Sequence, residues 1–165
     1  MGRRLVELLL DDDRIDRVVA IDRRSVGHPE PRSEATTLVP LRLDVSVDDP
    51  APALDGVDSV VHLVDTGDTR DDPRIAAGLL DRVLAAAASS GCGHVVVLSS
   101  ALVYGAWPDN PVPITEAQPV APNPELAYAQ AKAEMEERAR SWAAETGAGL
   151  CVLRPVATLS EGDSS

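Results

Sequence analysis

The chain has 165 residues and carries 15 basic against 27 acidic side chains, a formal charge of −12. That length suits one domain with its own core, a hydrophobic share of 44% argues against a disordered chain, and a surface this acidic repels nucleic acid and anionic membranes. Phe is absent and aromatic residues make up 2%, so the core is expected to be built from small aliphatic side chains.

Leu5, Leu8 and Leu9 recur at helical spacing and predict a helix from Gly2 to about Leu10. Glu7 interrupts this opening and acids follow it, so it does not read as a signal peptide. No apolar run approaches the length of a membrane span. Arg17 to Asp22 (RVVAID) reads as a buried strand ending in an acid, and the polar stretch from Arg23 to Thr37 as a loop. Leu38 to Asp44 is a second strand, SVDDPAPAL a turn or brief helix, Asp58 to Val64 a third strand, and TGDTRDDP a loop. A helix is expected from Pro73 to Ser90, with Pro in its first turn and Gly91 near its end. His94 to Ser100 is a fourth strand, followed by a proline-rich loop over Ala101 to Pro124 and a helix from Glu125 to Thr146. Gly149 to Pro155 is a fifth strand, and the SEGDSS tail is expected to fray. Cys92 and Cys151 lack metal-ligand spacing and sit beside apolar runs, which reads as buried free thiols in a reducing cytoplasm.

Continuous apolar strands alternating with helices predict an α/β fold with a parallel sheet covered on both faces. No repeat and no linker marks a second domain. Ligands bind beyond the carboxyl ends of the strands in such sheets. Here those ends are Asp22, Asp44, the residues after His62, Ser99-Ser100 and Arg154-Pro155.

The sharpest chemical signal is Tyr128 and Lys132, four apart on a predicted helix and therefore on one face. Lys132 is the only lysine; the other basic residues are all Arg. A nearby ammonium favours the phenolate and lowers a tyrosine's pKa, so Tyr128 could exchange a proton near neutral pH. A compact ammonium also bonds sugar hydroxyls in a way that a planar guanidinium does not duplicate. The bland alternative is a solvated helix face. Ser99 and Ser100 could hydrogen-bond a substrate oxygen, or merely cap local backbone. Asp22 stands where dinucleotide-binding sheets place an acid on the adenosine ribose, or is an ordinary loop-entry carboxylate. Arg23 and Arg24 could meet a 2′-phosphate, although Asp22 would repel it, which favours NAD and leaves NADP open. His62, inside an apolar strand, reads as a core histidine. No His or Cys stands at ligand spacing, so no metal is expected. Trp107 and Trp142 form no stacking platform for nucleic acid.

VVVLSSALVYG, PITEAQPVAPNPELAYAQAKAEMEE and LCVLRPVATL, in that order, resemble the NAD-dependent epimerase/dehydratase family, the extended short-chain dehydrogenases. VVAIDRR, LRLDVSV and VDSVVHLV are similar to that family's second, third and fourth strands. The resemblance implies a Rossmann-like doubly wound sheet and NAD(P)-dependent oxidoreductase or epimerase chemistry on a hydroxyl or keto group, with a sugar nucleotide as the substrate type. It makes Tyr128 the proton-exchanging tyrosine, Lys132 its partner on the nicotinamide ribose, and Ser100 the holder of the substrate oxygen. Asp22, with Arg23 beside it, falls at the adenosine ribose and Asp44-Val45 at the adenine. By the same resemblance Leu63 and Val64 match the backbone stretch that lines the cofactor, with Pro155 expected at a strand end on the same side. A small molecule is the expected partner, with a homodimer left open.

The chain also departs from the family pattern. Members open with a strand and a Thr-Gly-x-x-Gly-x-x-Gly loop, of which Gly2 resembles the last glycine. Val64-Asp65 puts an acid where members carry small residues, and Ile75 stands where they carry Asn. Residues 1–165 are therefore expected to be a partial dinucleotide-binding domain, truncated at both ends, without the first strand, the glycine-rich loop and the substrate lobe. The alternative expectation is a non-catalytic remnant or interaction domain that no longer binds cofactor.

Overall fold

A computed structural model describes residues 1–24, 36–64 and 73–156. The loop expected after Asp22, the loop after Val64 and the terminal tail lie largely outside the described residues. The chain forms two compact units. One comprises the described residues of Met1–Val57 with Arg82–Cys92, the other those of Asp58–Asp81 and from Gly93 onward.

In the first unit α1 (Gly2–Leu10) packs on β1 (Arg17–Asp22). Its buried residue is Leu10, while Leu8 is 53% exposed, so the leucine repeat turns its face one position later than the spacing suggests. β1 pairs in parallel with β2 (Thr37–Arg42), from Arg17 opposite Thr37 to Asp22 opposite Arg42. Alternate residues Val18 and Ala20 go into the core. Pro40 lacks an N–H, which β2 tolerates because among the described residues it is paired on one side only. The brief helix expected in SVDDPAPAL is a 3₁₀ turn over Ala51–Leu54, entered through Pro50.

The second unit holds a three-stranded parallel sheet in the order β3 (Ser59–His62), β4 (His94–Leu98), β5 (Gly149–Leu153). The central strand is the driest. Val95 and Val97 are fully buried, as a strand sandwiched on both faces requires. α2 (Pro73–Ser89) connects β3 to β4 and contributes to both units. α3 (Ala127–Thr146) is the crossover from β4 to β5, the length of connection a parallel pair needs. It ends at Gly147, whose φ of 72° is left-handed and carries no Cβ penalty.

With β1 and β2 as the second and third strands of the order 3-2-1-4-5-6 and β3 to β5 as its fourth to sixth, every observed pairing is a neighbour pair of that order. Among the described residues no strand joins the two sheets. β1 has the bounds that its apolar run suggested, while the other four strands are shorter than theirs. β3 stops at His62 and β4 at Leu98, so Leu63-Val64 and Ser99-Ser100 emerge as loop at the carboxyl edge. The proline-rich loop opens with an unforeseen 3₁₀ turn, Ala101–Tyr104. Of the two cysteines, Cys92 is buried and Cys151 half-buried. No helix among the described residues is long and apolar enough to cross a membrane.

Candidate active site at the carboxyl ends of β4 and β5

α3 buries a face made mostly of small residues, Ala129, Ala131 and Ala139, with Met135 and Trp142 as the larger members. Two ionisable residues share it: Lys132 at 2% exposure and Glu136 at 0%. A lone buried charge costs several kcal/mol, so each must be matched. The Lys132 ammonium donates to the Leu98 carbonyl at 3.0 Å, at the last residue of β4. It also lies 5.5 Å from the centre of the half-buried Tyr128 ring. Lys132 thus ties the tyrosine's helix to the end of β4, two residues before Ser100.

Ser100 is 9% exposed and caps the 3₁₀ turn, its hydroxyl accepting from the Leu102 N–H at 3.3 Å. Ser99 is engaged differently, its hydroxyl donating to Glu136 at 2.5 Å. Glu136 further accepts from Arg154 Nε at 2.9 Å and Nη2 at 2.6 Å, a bidentate pair, and from Arg140 at 3.0 Å. The remaining Arg154 nitrogen donates to the Tyr104 hydroxyl at 2.6 Å, with the guanidinium 4.8 Å from that ring's centre. Burial pushes the Glu136 carboxyl up, but the hydrogen bonds from Arg154, Ser99 and Arg140 outweigh it and hold it below the ordinary carboxylate range. The hydrogen bonds to Glu136, and then the one to Tyr104, push the Arg154 guanidinium up against its desolvation.

This network joins α3, the 3₁₀ turn and the ends of β4 and β5, and sequence reasoning missed it. Two signals pointed to it. Glu136 lies in phase with Tyr128 and Lys132 at intervals of four, and Arg154 closes an otherwise apolar strand.

His62 is 3% exposed at the end of β3, and its Nε2 has no hydrogen-bond partner among the described residues. Desolvation first, then the Lys132 charge, lowers its pKa to about 4, so it is a neutral core imidazole at neutral pH. Leu63 follows it half-buried and Val64 is 40% exposed. Pro155 accepts from the Ala101 N–H at 2.9 Å, carrying the β4–β5 spacing beyond the strands.

The remaining predicted positions belong to the first unit. Gly2 opens α1 and is exposed. Asp22, exposed at the end of β1, accepts from the Arg24 N–H at 2.7 Å, and the Arg23 carbonyl accepts from Arg42 at 3.3 Å. The Asp44 carboxyl accepts from the Ser46 hydroxyl and N–H, which hold it below the usual range. The Val45 carbonyl accepts from Arg82 at 2.5 Å. Among the described residues no cluster of His, Cys, Asp or Glu could hold a metal ion.

The family model described as the NAD dependent epimerase/dehydratase family matches residues 1–165. The chain belongs to that family. No curated protein matches it. Among solved structures, it is similar to a UDP-N-acetylglucosamine 4-epimerase from Methanobrevibacter ruminantium M1 in complex with UDP-N-acetylmuramic acid, at 25% identity and a TM-score of 0.72 over 93% of this chain and 50% of that one. A UDP-galactose 4-epimerase matches at 26% identity and a TM-score of 0.67, over 93% and 51%. MoeE5, in complex with UDP-glucose and NAD, matches at 27% identity and a TM-score of 0.62, over 82% and 44%. The chain therefore spans about half the length of these family members, in the Rossmann-type α/β fold they share.

Proposed function

We propose that this chain supplies the dinucleotide-binding domain of an NAD-linked, cytoplasmic oxidoreductase or epimerase acting on a hydroxyl or keto group of a nucleotide sugar. The observation that carries the reading is the Tyr128–Lys132 pair, with a buried ammonium anchored on the Leu98 carbonyl and a half-buried phenol beside it. Each unit offers donors for a part of a dinucleotide. Asp22 offers an exposed carboxylate at the end of β1 for ribose hydroxyls, and Lys132 an ammonium for the nicotinamide ribose. Gly2 stands in the first turn of α1, where helical N–H groups favour a phosphate. Arg23, Asp44, Val45, Leu63, Val64 and Pro155 complete the proposed cofactor contacts.

NAD, when bound, supplies the hydride acceptor. In this reading Tyr128, as a phenolate stabilised by the Lys132 ammonium, takes the proton from the substrate hydroxyl and becomes the neutral phenol. Ser100 donates its hydroxyl hydrogen to the substrate oxygen and orients it. The similarity to epimerases at 25% and 26% identity, and to a protein holding UDP-glucose and NAD, supports nucleotide sugars as the substrate class.

The test is calorimetric titration with NAD and turnover of UDP-glucose or UDP-galactose by a protein in which this chain is supplied with the family's first strand, glycine-rich loop and substrate lobe, with Tyr128 kept (wild type) and with Tyr128→Phe. Tyr128→Phe should bind NAD as the wild type does and lose turnover by about 10²-fold or more. Equal turnover in the two proteins, or no NAD binding by the wild type, would overturn the reading.

A further inference from the structure

Two consecutive residues at the end of β4 grip two consecutive turns of α3. The Leu98 carbonyl takes the Lys132 ammonium at 3.0 Å, and the Ser99 hydroxyl donates to Glu136 at 2.5 Å. One turn before Lys132 on the same stripe stands Tyr128. The rest of the buried face is three alanines with Met135 and Trp142 as the larger members, so apolar side chains lock the helix at few points along its axis. The polar contacts add fixed points at the strand ends. Of these, the Glu136 contacts are the most heavily tied, because Arg154 holds both carboxylate oxygens from the end of β5.

We propose that Glu136 is a positioning residue: pinned by Ser99 and Arg154, it sets the height of α3 over the end of β4, and so where the Lys132 ammonium and the Tyr128 phenol stand. The geometry supports a lever. Ser99 and Leu153 are themselves joined by a 2.7 Å backbone hydrogen bond, so the two strand ends form one rigid anchor. Glu136 meets that anchor from the helix, and Lys132 and Tyr128 follow at one-turn intervals. A glutamine at this place keeps the shape but cannot receive both Arg154 donors on one charged group. Arg154, whose side chain is 13% exposed, is left with an unmatched charge, and the anchor loosens.

The proposal gains its functional meaning from the reading of Tyr128 and Lys132 given above, but its test does not pass through turnover. Lys132 is the only lysine in the chain, so growth on ¹³C,¹⁵N-lysine gives one side-chain signal set that reports this site alone. In Glu136→Gln the Lys132 Cε and Nζ signals should shift, and its ammonium hydrogens should exchange about tenfold faster, as a locally opened contact does. Ser99→Ala, which removes one donor, should move them the same way by less. Leu80→Ala, a cavity on a different helix, should lower stability and leave the Lys132 signals in place. If Glu136→Gln does not fold, Ser99→Ala decides. Lys132 signals that match the wild type, or move no more than in Leu80→Ala, would overturn the proposal. A loss of the catalytic reading would show separately, as unchanged turnover in Tyr128→Phe with the Lys132 response intact.

Discussion

His62 should make the fold acid-sensitive in a defined window. The imidazole is 3% exposed, and desolvation together with the Lys132 charge lowers its pKa to about 4. In the unfolded chain it returns to about 6.5. Between these values the unfolded state binds a proton that the folded state refuses, so unfolding becomes more favourable as pH falls. Above pH 6.5 both states are neutral and the effect vanishes; below pH 4 both are protonated and the full loss has been incurred. The gap between the two values corresponds to about 3 kcal/mol at about 1.36 kcal/mol per pH unit. The perturbation is His62→Gln, which has a similar polar reach and no titration. Urea unfolding of both proteins across this range isolates the histidine, because every carboxylate is common to the two. Wild-type stability should fall relative to His62→Gln by about 3 kcal/mol between pH 6.5 and pH 4. Parallel stability curves would show that His62 protonates as easily folded as unfolded, and would refute the argument from burial and the Lys132 charge.

Gly105 has a φ of 68°, and a Cβ there would run into the Trp107 ring and the Ala121 carbonyl. Gly105→Ala should therefore cost about 3 kcal/mol, read as a lower urea midpoint; an unchanged midpoint would mean that the loop accepts a side chain there. Arg154→Met should destabilise the protein by about 3 kcal/mol at neutral pH, because it takes two of the hydrogen bonds from a fully buried carboxylate. That loss should shrink in acid. The wild type gives up its pairing as pH falls through the depressed Glu136 pKa, while the variant relieves its unmatched carboxylate by protonation. A loss independent of pH would point to packing of the arginine stem instead.

The apolar runs by themselves determined the element order and the parallel pairing. Runs such as RVVAID and HVVVL, separated by helix-length segments, leave few arrangements other than parallel strands with crossovers. The interval of four between Tyr128 and Lys132 placed both on one helix face, and the resemblance in the surrounding motifs agreed with the family match over residues 1–165. Strand ends were less legible. An apolar run continues to look like strand after its ladder partners stop, which is why Leu63, Val64, Ser99 and Ser100 fell outside β3 and β4. The roles of the two serines were legible only in part: backbone capping was one of the two readings and holds for Ser100, while the Ser99 contact with Glu136 was not foreseen. Both are small polar residues at one strand end, and only the path of α3 gave Ser99 to Glu136 while the 3₁₀ turn gave Ser100 its capping contact. The Glu136–Arg154 pair was decided in the same way. Its members are 18 residues apart, on the crossover helix and at the end of the strand after it, and helical periodicity reports only which face a residue occupies. What the buried carboxylate meets there depends on where the chain returns, and that is fixed by the packing of α3 against β5.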